Sequence, residues 1–182
     1  MTSKLPGKQY RNETFWRLHR EDRFREAEQY ARDCLKREPC KPYLLARLAH
    51  AIYEQRQYRR ALQWVDKALS LHAGDPDYKS LRAMILIMLD RHDEAEVILR
   101  QLLRAGAKRI GTIDCQEGVV WARGLLNDCR FDMARIEVDR GNLSAAKRWL
   151  SAYERHQRAG AKGMTPLRKI AAFRQRHGLT RR

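Results

Sequence analysis

The sequence predicts an all-α fold, a stack of helix hairpins (an α-solenoid) with a long insert helix and a C-terminal capping helix. Three observations predict it. A frame built on small residues recurs every 34 residues, at Ala27, Ala61 and Ala95. An apolar stripe then runs from Val119 through Ala122, Leu126, Cys129 and Met133 to Ile136 in steps of three and four, the period of one helix face. Gly and Pro number only 10 and 5 in 182 residues, too few for the turns of an all-β protein.

The elements follow in chain order. Helices are expected near 9–20, 22–37, 42–55, 58–72, 76–89 and 92–105. Pro42 and Pro76 stand at two helix starts, where a missing N–H costs nothing, and Asp75 precedes Pro76 as an N-cap. Gly74, Gly106 and Gly160 sit where helices should exit. Arg104-Ala-Gly-Ala-Lys108 and Arg158-Ala-Gly-Ala-Lys162 read as one type of exit used twice. The stripe predicts a single helix from about Thr112 to Arg140, roughly 42 Å long at ~1.5 Å per residue. Gly118 and Gly124 weaken it by ~1 kcal/mol each relative to Ala. Thr165-Pro166 opens a last helix, about 166–177, stopped by Gly178.

Around each alanine the same residues return. Tyr30 and Trp64 lie three positions after the first two. Cys34-Leu35, Ala68-Leu69 and Leu102-Leu103 follow seven or eight positions after. A fourth frame, Met133-Ala134, Gly141-Asn142-Leu143, Ala146, Leu150 and Tyr153, comes 51 residues after Ala95, so half a repeat is inserted. The pattern resembles the tetratricopeptide repeat (TPR) family over about residues 8–109 in register and 127–160 after the insert. The resemblance implies a right-handed superhelix whose paired helices A and B cross at the alanines, where small side chains let backbones approach. It implies one domain over 1–182: repeats at about 8–41, 42–75 and 76–109, an insert at 110–126, a divergent repeat at 127–160 and a basic cap at 161–182. Arg82 and His92 depart from the pattern, standing where apolar residues are usual.

The resemblance also implies a non-catalytic protein-interaction module, adaptor or chaperone-like, with helices A lining a groove. Its groove positions fall on Asn12, Trp16, His19, Arg20, Ala46, His50, Tyr53, Ser80, Met84, Ile87 and Met88, with Arg47 beside them. Trp, Tyr, Met and Ile suit apolar side chains of a partner, whereas Arg and His suit an acidic segment. His50 and Met84 stand where the TPR clamp for chaperone carboxylate tails carries Asn, which argues against that role. The three-repeat TPR chaperones of bacterial secretion systems are a nearer analogy in groove chemistry. Met84 and Ile87 read equally as core, because Met84 to Leu89 is apolar on nearly every side. For Trp16 and Tyr53, core and groove also stay open.

Charge is uneven. The chain has 38 Lys and Arg against 22 Asp and Glu, and residues 143–182 hold eleven of the bases with one acid, Glu154. Arg155, Arg158, Lys162, Arg168, Lys169, Arg174 and Arg176 form the expected basic patch, continued by Arg181 and Arg182. Such a patch suits phosphates, so nucleic-acid binding is the second reading, beside a plain solvated face. Homodimerisation through exposed repeat ends is a third.

Other classes find no support. There is no GxSxG or HExxH frame, and Gly106-Ala-Lys-Arg-Ile-Gly-Thr112 lacks the Lys of a phosphate loop. The histidines at 19, 50, 72, 92, 156 and 177 show no metal-ligand spacing, so neither metal nor cofactor is expected. The four cysteines form no CxxC pair and read as reduced and buried. No apolar run approaches the ~20 residues of a membrane span. The N-terminus has no apolar h-region, so a cytoplasmic location is expected.

Overall fold

The computed structural model describes the backbone of residues 8–112 and 118–179. These form two compact units, Met1–Ala73 and Gly74–Arg182. The fold is all-α, made of helical hairpins.

The first unit holds α1 (Lys8–Arg20), α2 (Phe24–Arg37), α3 (Pro42–Glu54) and α4 (Tyr58–Leu71). Helix α1 packs on α2, α2 on α3, and α3 on α4. The crossing residues Ala27 and Ala61 are fully buried, as close approach of two backbones requires. Phe15, Leu18, Ala27 and Ala51 form one core cluster, with Trp16 and Tyr30 packed at its edge.

The second unit holds α5 (Pro76–Ile87), α6 (His92–Gly111), α7 (Gly118–Asp139), α8 (Leu143–Arg158) and α9 (Leu167–Arg176). Here too the crossing residues Ala95 and Ala146 have no exposure. Asp75 caps α5, its carboxylate accepting the N–H groups of Asp77 and Tyr78 at 2.9 and 3.2 Å. Helix α7 packs on α5, α6 and α8. Ala122, Leu126, Cys129, Met133 and Ile136 of its stripe are buried. The helix begins at Gly118, not Thr112, which is the C-cap of α6; residues 113–117 lie outside the described residues.

The hairpin turns carry a periodicity of their own. Asp22, Arg56 and Asp90 adopt φ of 56°, 60° and 58°, and Gly141 adopts 76°. Each lies five residues before a crossing alanine. In each turn the next residue's N–H reaches back five positions, as from Arg23 to Leu18, Gln57 to Ile52, Arg91 to Leu86 and Asn142 to Glu137. With the bonds from Asp22 to His19 and Arg56 to Tyr53, this is the Schellman termination of a helix. Three of the four residues in the left-handed position are not glycine.

The expected glycine exits divide. Gly160 has φ 88° and ends α8. Gly106 (φ 73°, ψ 161°) only kinks α6, which resumes to Gly111 with Ile110 buried. Gly74 has no left-handed φ. The two Arg-Ala-Gly-Ala-Lys segments therefore differ in outcome. After Gly160 the chain is held by α7: the Asn127 amide donates to the Ala161 carbonyl at 3.0 Å. Asp128 accepts the N–H groups of Met164 and Thr165 at 2.6 and 3.0 Å. A Cβ at Gly124 would run into the Lys162 carbonyl, so this glycine, which weakens α7 as a helix, is what lets the loop lie on it. Around the end of the chain, Phe131, Leu150, Tyr153, Ile170 and Leu179 form a further core cluster.

Among the described residues, no helix is long and apolar enough to cross a membrane. Cys34 and Cys129 are buried thiols, whereas Cys40 is exposed, contrary to expectation. Cys115 lies outside the described residues.

Candidate functional site

The polar and aromatic residues expected on the helix-A face of the first unit come together around two imidazoles. Helical spacing puts Trp16 and His19 on one side of α1, three residues apart, and Arg47, His50, Tyr53 and Glu54 on one side of α3. Packing α1 beside α3 then brings His19 and His50 to a ring separation of 4.8 Å, edge to face. Trp16 stands 5.3 Å from His19 and 5.4 Å from His50. Phe24 closes on His19 at 5.4 Å. The Arg47 guanidinium lies 4.4 Å over the Trp16 ring, a cation–π geometry. Tyr53 neighbours His50 at 6.3 Å and Tyr58 at 5.6 Å.

This cluster is neither sealed core nor open surface. Trp16, His19, Arg47, His50 and Tyr53 are all half-buried, and Arg20 beside them is exposed. His19 Nε2 lies 3.6 Å from Glu54 Oε1. His19 Nε2 and His50 Nδ1 are shut off from solvent without a hydrogen-bond partner. Burial pushes the His50 imidazole far down, to about 3, with the charges of His19 and Arg47 acting in the same direction and Glu54 against it. His50 is therefore neutral at physiological pH.

In the second unit, the expected groove residues part company. Met84 is half-buried, but Ile87 is 3% exposed and belongs to the core. Ser80 is also buried and hydrogen-bonds with Cys129 of α7. Burial pushes the Cys129 thiol up, which makes it unreactive. On α7, Asp132 is buried and Asp128 half-buried. Asp132, bonded to Arg135 at 3.0 Å, is raised to about 6 by burial, with Asp128 adding to the rise. Burial raises Asp128 as well, although the bonds from Thr165 and Met164 pull it back.

Of the basic patch, Arg155, Arg158, Lys162, Arg168, Lys169 and Arg176 are exposed. No ion pair among the described residues involves any of the six. Arg174 differs. Its side chain is 14% exposed and pairs with Glu154 at 2.5 Å, tying α9 to α8 instead of facing solvent. Burial lowers the Arg130 guanidinium, and the charge of Arg155 adds to that. Both charges add to the effect of burial in lowering His156. Positive charge is thus crowded at the end of α8.

The sequence placed His19 and His50 on the same face but did not pair them, because they are 31 residues apart. It passed over Glu54. Its spacing of four from His50 on one helix was the available signal.

The fold is that of helical-hairpin repeat proteins, a class built for protein interaction. The sequence profile described as tetratricopeptide repeat matches residues 18–85. Residues 18–85 are assigned to tetratricopeptide repeats on that match. No curated protein matches it. Among solved structures it is similar to MamA 41-end from Desulfovibrio magneticus RS-1, at 17% identity and TM-score 0.49 over 84% of this chain and 97% of that one. It is likewise similar to the MamA RS-1 ArsTM double mutant, at 16% identity and TM-score 0.49 over the same shares. With identity this low and superposition this loose, the assignment rests on the repeat itself.

Proposed function

We propose that this chain is a non-catalytic adaptor or chaperone-like module that takes an acidic or apolar segment of another protein on the helix-A face of its first unit. One observation carries the reading: Arg47 stacked at 4.4 Å on a half-buried Trp16, with exposed Arg20 alongside. Trp, Tyr and Arg in partly desolvated positions are the residue types on which binding energy concentrates. Exposed Arg20 presents a guanidinium suited to a carboxylate. His50, neutral, offers the same face an aromatic edge at no charge cost. In the second unit, taken by itself, half-buried Met84 offers an adaptable apolar contact, whereas Ile87 is a core residue.

The exposed and unpaired bases of the C-terminal region favour a second reading, phosphate contacts with nucleic acid. A pull-down from native lysate, with and without nuclease at about 150 mM salt, separates the two. The adaptor reading expects a small set of proteins that survive nuclease and are lost with Trp16→Ala plus Arg20→Glu. It expects them to be retained with Arg168→Glu plus Lys169→Glu. Loss of everything bound on nuclease treatment, with sensitivity only to the second pair, would transfer the function to the basic face. Light scattering on the same protein distinguishes capture of a partner from self-association: a dimer at micromolar concentration would favour homodimerisation.

A further inference from the structure

The two orphaned imidazole nitrogens are the least explained atoms in the first unit. Buried polar atoms almost always find a partner, and an exception calls for a bound water or ion. Here the exceptions sit beside a carboxylate. His19, His50 and Glu54 each offer one ligand atom, and these atoms all lie within 4.8 Å of one another. We propose that His19, His50 and Glu54 form a binding site for a divalent transition-metal ion of the zinc type.

Geometry supports this. For bonds of about 2.0–2.1 Å, the edge of a tetrahedral site is roughly 3.4 Å. The His19 Nε2 to Glu54 Oε1 separation is 3.6 Å, already close to that edge. No separation in the set exceeds 4.8 Å. The two α3 ligands stand four residues apart on one helix face, and the third comes from the last turn of α1. The site is therefore built on rigid elements. Trp16 and Phe24 wall the His19 ring at 5.3 and 5.4 Å, which restricts its rotamers before any ion arrives.

The donor chemistry selects the ion. Two imidazoles and one carboxylate suit zinc, cobalt or nickel, whereas magnesium and calcium prefer all-oxygen sets. Arg47 opposes a cation, but its guanidinium lies against the Trp16 ring, and Glu54 supplies a compensating charge. The side chains of His19 and Glu54 keep 22% and 24% exposure. Three protein ligands and a solvent-facing side leave a fourth position for water or for a donor brought from outside.

The site stands independently of any protein partner, so the test uses the full chain alone. Metal-free protein is titrated with zinc chloride by calorimetry and with cobalt chloride by visible absorption. Circular dichroism checks the fold of each variant. One equivalent is expected, with micromolar or tighter affinity and the intense visible bands of four-coordinate cobalt. His19→Gln, His50→Gln and Glu54→Gln should each weaken binding by ~10-fold or more. His72→Gln, a change in the same unit, should leave it unaltered. Glu54→Gln decides the matter if a histidine variant fails to fold, because Glu54 lies at the edge of the cluster. Absence of saturable binding, or binding that Glu54→Gln leaves intact, would overturn the proposal.

Discussion

The two units bury ionisable groups between their helices in opposite ways. In the first, the desolvated group is His50, a half-buried base pushed down by its surroundings until it is neutral. In the second, the groups are Asp128 and Asp132, acids pushed up toward neutrality. Desolvation is the first cause in each case, and it always favours the uncharged form. The lesson is that one physical term acting on two residue types gives two halves of one chain contrary responses to pH. The resemblance between the units lies instead in their crossings and turns, which repeat without regard to what titrates nearby.

The largest test strikes at what the units share. Ala61→Leu in the first and Ala146→Leu in the second insert bulk where exposure is zero. Each should cost about 3 kcal/mol in urea unfolding. A cost in one unit alone would break the equivalence of the two crossings.

The next test sharpens what they do not share. His50 has a folded pKa below its ordinary 6.5. Its contribution to stability is present above that pH and is lost as pH falls toward about 3. Asp132 is the reverse. Its folded value of about 6 exceeds the ordinary 3.8, so its contribution is present below the ordinary value and is lost as pH rises through about 6. Each slope is at most ~1.4 kcal/mol per pH unit. Urea unfolding at pH values from about 6.5 down to about 4.5, above most carboxylate titrations, reads them separately. On acidification, His50→Gln should gain stability relative to the parent by ~1–2 kcal/mol. Asp132→Asn should lose stability relative to the parent over the same range. His19, Arg47 and Glu54 surround the first group and Asp128 and Arg135 the second, so each variant is compared with its own unit's neighbours intact.

The smallest effect concerns the turns. Arg56→Gly relieves a left-handed conformation and should raise stability by ~0.5–1 kcal/mol, and Gly141→Ala should lower it by ~1 kcal/mol. Thermal melts of both variants would show shifts of opposite sign.

Much of this architecture was legible in the sequence because small residues at crossings and capping residues at ends act locally. Ala27, Ala61, Ala95 and Ala146 marked all four crossings, and Asp75-Pro76 marked the start of α5. What was illegible depends on distant partners. The loop that Asn127 and Asp128 hold decided that Gly160 would end a helix, whereas buried Ile110 let α6 resume beyond Gly106. Arg174 reads as a surface base until Glu154 is placed beside it. Met84 and Ile87 share a helix, and only the packing of that helix separates a half-buried residue from a core one. Residue type announced the aromatic and basic character of the helix-A face. The meeting of His19 with His50 and Glu54 needed two repeats to be folded together. The left-handed turn residues escaped notice because Asp22, Arg56 and Asp90 are not the glycines that such a conformation favours.

Those turns have a practical consequence. Their hydrogen bonds run from main chain to main chain, and the side chains at Asp22, Arg56 and Asp90, like the α-carbon of Gly141, point to solvent. The tips are therefore chemically blank positions at regular intervals along the chain. A fluorophore or spin label attached there would leave every interior contact in place. A pair at Asp22 and Arg56 would gauge the first unit, and a pair at Asp90 and Gly141 the second.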